Sequence, residues 1–156
     1  MVYENTVQKY KKQLDDYYIP LPKTIIELQS RLSSKSRHNI RREKNIIIRD
    51  YGSMELIDQN ISAVDEKTIE LFYSYKKISY AVPGSFDIRK TKTTNIYTLK
   101  CGDEIKAILL SCEQSNICFL ENLTYDPTMP HYSFGQVMYD MYLETLIKKS
   151  KKVYHY

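Results

Sequence analysis

Three apolar runs crowd into residues 94–125, and the connections between them are too short for anything but hairpins. The runs are Thr94–Cys101 (TNIYTLKC), Glu104–Glu113 (EIKAILLSCE) and Ile117–Tyr125 (ICFLENLTY), rich in β-branched, aromatic and leucine side chains. Gly102-Asp103 separates the first pair and Gln114-Ser115-Asn116 the second. Parallel strands need a crossover of a dozen or more residues, so these connections commit the chain to an antiparallel meander. The remaining segments have to pack around that sheet.

Helical patterns flank it. Val64, Ile69, Phe72, Tyr73, Ile78 and Tyr80 approximate one face of a 3.6-residue period over 64–80, and Pro83-Gly84 ends it. Beyond the loop DPTMPHYSFG, residues Ser133 to about Ser150 carry an apolar stripe of Val137, Met138, Met141, Tyr142, Thr145 and Leu146. Lys148, Lys149, Lys151 and Lys152 complement the dipole at that helix's end. Upstream, Tyr17–Pro22 (YYIPLP) is expected to be extended, because each proline excludes its predecessor from the α region. Thr24, with Glu27 three residues on, predicts a capping box that opens a helix through about Leu32. Ser34 or Ser36 starts a second helix, SKSRHNIRREKN. The β-branched run NIIIRD then reads as a strand over 45–50, and Ser53 with Glu55 as the start of another helix. Residues 4–16 suit a short amphipathic helix, and Val153–Tyr156 begins a last strand.

Helices and strands are thus mixed without regular βαβ alternation. That predicts an α+β fold of mixed α/β layers: a central, mostly antiparallel sheet with a three-strand meander, flanked by helices. The expected organisation is an N-terminal helical extension over 1–16 and one domain over 17–156, incomplete at its C-terminal end.

Composition excludes several classes. Of 156 residues 42% are hydrophobic, and with 4 Gly and 5 Pro the chain is neither collagen-like nor of low complexity. No apolar run reaches the ~18 residues of a membrane span, and the first residues lack the apolar core of a secretory signal. Cys101, Cys112 and Cys118 are odd in number and lack metal-ligand spacing, so the expectation is free structural thiols, a cytoplasmic location and no metal. The net charge of +4 is unevenly spread: residues 1–44 hold ten Lys+Arg against five Asp+Glu, and the remainder 13 against 14. Arg37, Arg41 and Lys44 share one helical face. Such a face suits an anionic partner, or is simply solvated or paired within the domain.

The order of elements and three motifs resemble the GNAT acyltransferase fold, and within it the CelD-like acetyltransferase group related to the FemAB peptidyltransferases. The motifs are Tyr18-Ile19-Pro20-Leu21-Pro22, the basic Ser34-Lys35-Ser36-Arg37-His38-Asn39-Ile40-Arg41-Arg42, and Tyr125-Asp126-Pro127 followed by Tyr132-Ser133-Phe134-Gly135-Gln136-Val137-Met138. The resemblance spans residues 17–156. The group usually continues past the last strand and carries two such domains in tandem, and both features are missing from this sequence.

The resemblance implies an N-acyltransferase that passes an acyl group from acetyl-CoA, or another acyl-CoA, directly to an amine acceptor. It implies that the backbone of Tyr132, Ser133, Phe134, Gly135 and Gln136 holds the pyrophosphate. On the residues alone, the same stretch reads as an N-capping serine with a small residue in the first helical turn. By position on the third meander strand, Asn122, Leu123, Thr124 and Tyr125 would line the pantetheine arm. Glu121, the one carboxylate in that strand, is the candidate base, or else pairs with Lys106 across the sheet. His131 is a second candidate for acid–base work, as a histidine beside the helix start, or is an inert loop histidine. Arg37, Arg41 and Arg42 are candidates for orienting the acceptor or binding an anion. A FemAB-type transferase fed by charged tRNA is the enzyme alternative, with tRNA as the partner, and a non-catalytic binding module is the other. A homodimer through the terminal strand is a further expectation, because an edge strand exposes unpaired backbone groups.

Overall fold

The computed structural model describes residues 18–80, 88 and 91–155; the expected helix over 4–16 and the Pro83-Gly84 break lie outside them. In chain order the elements are β1 (Tyr18–Pro20), α1 (Ile25–Ser30), α2 (Ser34–Tyr51), β2 (Met54–Asn60), a 3-10 turn (Ile61–Ala63), α3 (Glu66–Tyr80), β3 (Asn95–Cys101), β4 (Glu104–Gln114), β5 (Ile117–Tyr125), α4 (Phe134–Lys148) and β6 (Val153–His155). The strands form one six-stranded sheet in the order β1-β6-β5-β4-β3-β2. Strands β2 to β5 are antiparallel neighbours, β6 runs parallel to β5, and β1 runs antiparallel to β6.

The alternation of side chains along the meander separates two cores. Tyr97, Leu99, Ala107 and Leu109 face α2 and α4, where they meet Ile47, Phe134, Val137, Met138, Tyr142 and Leu146. Ile96, Ile108 and Leu110 face α3 and meet Phe72. All these side chains are essentially buried, and each large one contributes about 1.5–3 kcal/mol relative to exposure. The result is an α+β fold of three layers, helix–sheet–helix, with the expected meander at its centre.

Two bulges interrupt the meander. Leu99 pairs with Ala107 and Lys100 with Ile105, so Lys106 is an extra residue on β4. Leu110 pairs with Asn122 and Ser111 with Leu120, so Glu121 is an extra residue on β5. Bulges re-aim side chains and increase local twist. Both therefore set the side chains discussed below.

Four expectations need correction. The run NIIIRD is not a strand over 45–50; α2 continues through it to Tyr51. Only Ile47 of its three isoleucines is buried, together with Glu43 one turn earlier, while Ile48 is 44% exposed. That is a helical stripe, and a helix already nucleated extends at little further entropic cost, which outweighs β propensity. The cap is Ser33, whose side chain accepts from Ser36 N at 3.1 Å, rather than Ser34 or Ser36. The segment after Ser53 is strand β2 rather than a helix, paired with β3 along its whole length; Met54 and Leu56 pack on the α2–α4 core between polar residues that face outward. Finally, β6 is not an open edge, because β5 and β1 flank it on both sides. The capping box at Thr24 forms as expected, with Glu27 N donating to Thr24 Oγ1 at 3.1 Å.

Candidate functional site

Strand β6 pairs with β5 only from Ile117 to Phe119. From Leu120 to Tyr125, the β5 edge away from β4 has no strand partner among the described residues. The Glu121 bulge stands at the mouth of that open edge, and the edge runs into the loop that starts α4. Ser133, the first residue before α4, adopts φ −88° and ψ 48°, and no side chain caps the helix. The first bond along the helix start is from Val137 N to Ser133 O, at 3.0 Å. A 15-residue helix that begins this way presents amide N–H groups and the positive end of its dipole.

Tyr125 closes the corner. A Cβ placed on Gly135 would lie 3.0 and 3.1 Å from two carbons of the Tyr125 ring. With glycine at this position the ring lies over the first turn of α4 without having to shift. The ring is 46% exposed, so it forms part of the surface of the corner rather than of the core. On β5 itself, Thr124 is buried with its hydroxyl unpartnered. Asn122 and Leu123 are half-buried, as is Glu121.

Glu121 makes no ion pair with Lys106. Instead Lys106 is buried beside Asp126 (3.0 Å) and reaches Glu104 (2.5 Å), with its ammonium 5.4 Å from the centre of the Tyr51 ring. Burial would lower the Lys106 ammonium, but the bonds to Glu104 and Asp126 outweigh it and hold it above the ordinary lysine range. Burial would likewise raise the Asp126 carboxyl, but hydrogen bonds from Thr128 and Lys106 keep it below the ordinary carboxylate range. Asp126 Oδ1 accepts from Thr128 N at 3.0 Å and from Thr128 Oγ1 at 2.6 Å. This carboxylate therefore fixes how the chain leaves β5 for α4. Nearby, Tyr75 on α3 donates to Ile105 O at 2.7 Å, and burial pushes its phenol up to about 12. Burial also lifts the Cys112 thiol above its ordinary range, and the Glu121 carboxylate adds to the effect.

His131 and Tyr132 lie in the loop before α4. Their rings are 4.3 Å apart, and Tyr132 stacks on Phe134 at 5.0 Å and meets Tyr51 edge-on at 5.6 Å. The Tyr132 hydroxyl donates to Asp50 Oδ2 at 2.9 Å. The bond from Arg49, and then that from Tyr132, hold the Asp50 carboxyl below its usual range. The end of α2 thus ties down the loop that opens α4.

The basic residues of α2 divide into two sets. Arg37 reaches back to α1, donating to Leu32 O at 2.7 Å, Gln29 O at 3.2 Å and Ser34 Oγ at 3.1 Å. Lys44 pairs with Asp140 of α4 at 2.6 Å. Arg41 and Arg42 are exposed, Arg42 beside Glu43 at 2.9 Å. Among the described residues, no three His, Cys, Asp or Glu side chains converge as a metal site, and no helix is long and apolar enough to cross a membrane.

Sequence reasoning missed the pairing of Lys106 with Asp126 and the part played by Asp50. A lysine inside the apolar run EIKAILL signals a buried carboxylate, and Asp126-Pro127-Thr128 carries the signature of an Asx turn. Nothing local links Asp50 to Tyr132, 82 residues away.

No family model matches the sequence, and no curated protein matches it. Among solved structures, the chain is similar to the C-terminal domain (DUF2156) of a protein assigned as a lysylphosphatidylglycerol synthetase from Agrobacterium fabrum. Identity is 12%, with a TM-score of 0.61 over 80% of this chain and 41% of that one. It is similar to L-PGS from Bacillus licheniformis at 12% identity and TM-score 0.59, over 79% of this chain and 41% of that one. An aminoglycoside acetyltransferase from an uncultured soil metagenomic sample, solved with sisomicin, matches at 11% identity and TM-score 0.49, over 66% and 74% of the two chains. The chain spans about two fifths of the length of the first two structures. Those two likenesses show the fold alone.

Proposed function

We propose that this chain is a GNAT-type N-acyltransferase domain, which passes an acyl group from an acyl-CoA thioester to an amine. One observation carries the reading: an unpaired β5 edge that opens at the Glu121 bulge and leads into a helix start no side chain caps. The backbone from Asn122 to Tyr125 is suited to pair with the amide-bearing arm of a pantetheine, as an added strand would. The amides from Tyr132 to Gln136 are suited to phosphate oxygens. The bound thioester supplies the activated acyl carbon. Glu121 takes the proton as the amine nitrogen bonds to that carbon, and the carbon–sulfur bond breaks to release the thiol. Catalysis then rests mainly on positioning and on backbone dipoles, not on a covalent enzyme intermediate. His131 is the second candidate for the acid–base role.

Within GNAT-like proteins, the quoted motifs favour the CelD-like group. The three free, buried cysteines suit a reducing, cytoplasmic setting. The exposed arginines of α2 favour a second reading, transfer from an aminoacyl-tRNA. The test is thermal unfolding with acetyl-CoA, free CoA, ATP or tRNA. At ~100 times its dissociation constant a ligand adds about 2.7 kcal/mol, a rise of about 5–10 °C for a chain this size. A rise with acetyl-CoA and CoA but not ATP is expected. A rise with tRNA alone selects the second reading, and no rise from a cooperatively folding sample leaves a non-catalytic module.

A further inference from the structure

The side of α2 turned away from the domain carries an arrangement that the acyl-transfer site does not use. At about 100° per residue, His38, Arg41, Arg42, Asn45, Ile48 and Arg49 fall on one arc of the helix, opposite the buried Glu43 and Ile47. Among the described residues Arg42 and Arg49 pair with their sequence neighbours Glu43 and Asp50, and their side chains stay 59% and 71% exposed. Each guanidinium carries five N–H donors and spends one or two on its neighbour, so the rest are open to a partner's carboxylates. The arc is not purely polar: Ile48 is among the large exposed apolar residues, and a shallow depression of about 290 Å³ lies along the arc between Arg41, Arg42 and Arg49, bordered by Ile46.

That mixture selects the kind of partner. A nucleic-acid backbone would use the guanidinium groups but gain nothing from Ile48, and the arc has no Phe, Tyr or Trp ring on which a base could stack. An acidic amphipathic helix uses both, setting carboxylates on the arginines and an apolar side chain on Ile48. The arc also ends at the proposed site. Arg49 adjoins Asp50, which receives the Tyr132 hydroxyl, and Tyr51 packs against Phe134 with ring centres 6.1 Å apart.

We infer that this face docks a small acidic carrier protein, which delivers the acyl group as a thioester on its own phosphopantetheine arm. The inference rests on the acyl-transfer reading and names the donor within it. The amine nitrogen bonds to the acyl carbon, the carbon–sulfur bond breaks, and the free thiol leaves on the carrier. The amine proton passes to Glu121 and then to the departing sulfur.

The probes are acyl carrier protein in its apo form and in its acetylated holo form, titrated calorimetrically against the whole chain at low and physiological salt. Both forms bind the wild type, more weakly as salt rises. Arg41→Glu/Arg42→Glu weakens both by at least about tenfold, because it sets like charges against each other. Ile48→Asn weakens both by about fivefold through the lost apolar contact. Both variants keep the acetyl-CoA thermal shift of the wild type, so fold and thioester site are intact. No binding of either carrier form by the wild type overturns the inference. So does binding of tRNA, without the carrier, that is lost in Arg41→Glu/Arg42→Glu and kept in Ile48→Asn. A wild type that ignores acetyl-CoA counts against the acyl-transfer reading alone, since the apo carrier bears no thioester and reports docking by itself.

Discussion

Replacing Lys106 by methionine removes the one cation beside a buried carboxylate and leaves most of the packing in place. Asp126 has a side chain only 8% exposed and would keep just the two bonds from Thr128. Removing one partner of a buried pair costs about 3–5 kcal/mol. We take the lower end here, because Thr128 still solvates one oxygen. That corresponds to a fall in Tm of about 6–12 °C for a chain of this length. In Lys106→Met/Asp126→Asn no charge is stranded, and stability should return to within about 1 kcal/mol of the wild type.

The pH dependence gives an independent arm. In the wild type the folded Asp126 carboxyl lies below its unfolded value. Its contribution is therefore present above about pH 4 and is lost as pH falls through the lowered folded value. The Lys106 ammonium lies above its unfolded value. Its contribution is complete below about pH 10 and is lost only as pH rises through the raised folded value. Without the lysine, the folded carboxyl rises from its lowered value, so the penalty in Lys106→Met fades as the pH is lowered and the acid is protonated in both proteins. Urea denaturation followed by circular dichroism at pH 7 and pH 4 measures the gap directly. A loss under about 1 kcal/mol at pH 7, or a loss equal at the two pH values, would refute the assignment of Lys106 and Asp126 as a charged pair.

Other outcomes follow from separate parts of the structure. Ile47→Ala should cost about 2–4 kcal/mol and Ile48→Ala less than about 0.5 in the same denaturation assay, because only the first is buried in the core. Glu121→Gln should lower kcat about a hundredfold in a thiol-release assay while the KM for acetyl-CoA stays within about twofold, as expected for a base that does not hold the donor. Gly135→Val drives a side chain into the Tyr125 ring, already within van der Waals contact of the Cβ position. It should abolish the acetyl-CoA thermal shift while the unliganded protein still unfolds cooperatively.

The elements that the sequence made legible are those fixed by local rules. The meander rests on two hairpin connections, and both form where Gly102-Asp103 and Gln114-Ser115-Asn116 stand. Helices α3 and α4 follow their apolar stripes, and Thr24 caps α1. The errors lie where local and tertiary preferences compete. Three consecutive isoleucines favour a strand by composition, but a helix begun at Ser33 carries through them because Ile47 meets the α4 side of the core. Met54–Asn60 holds a plausible cap in Ser53 and Glu55, yet β3 offers seven residues of partner backbone. At the candidate site, Glu121 and the Ser133–Gly135 junction were readable as residue types. That Glu121 is an extra residue in a bulge was not, because a bulge exists only relative to its partner strand. The arginine run read as one charged face, whereas the fold uses Arg37 to hold the end of α1 and leaves Arg41 and Arg42 outward.

The pairing of Tyr18 with His155 has a kinetic corollary. Strands β1 and β6 are three residues each and come from opposite ends of the described chain, so their mutual contact closes a loop of nearly the whole domain. The meander strands close loops of a few residues each. Loop-closure entropy grows with length, and short strands return little for it. The β1–β6 ribbon should therefore assemble after the β2–β5 unit and open before it, as a separate cooperative unit of lower stability in hydrogen exchange. The strand that bounds the β5 cleft would then come and go on a different clock from the sheet that holds Glu121.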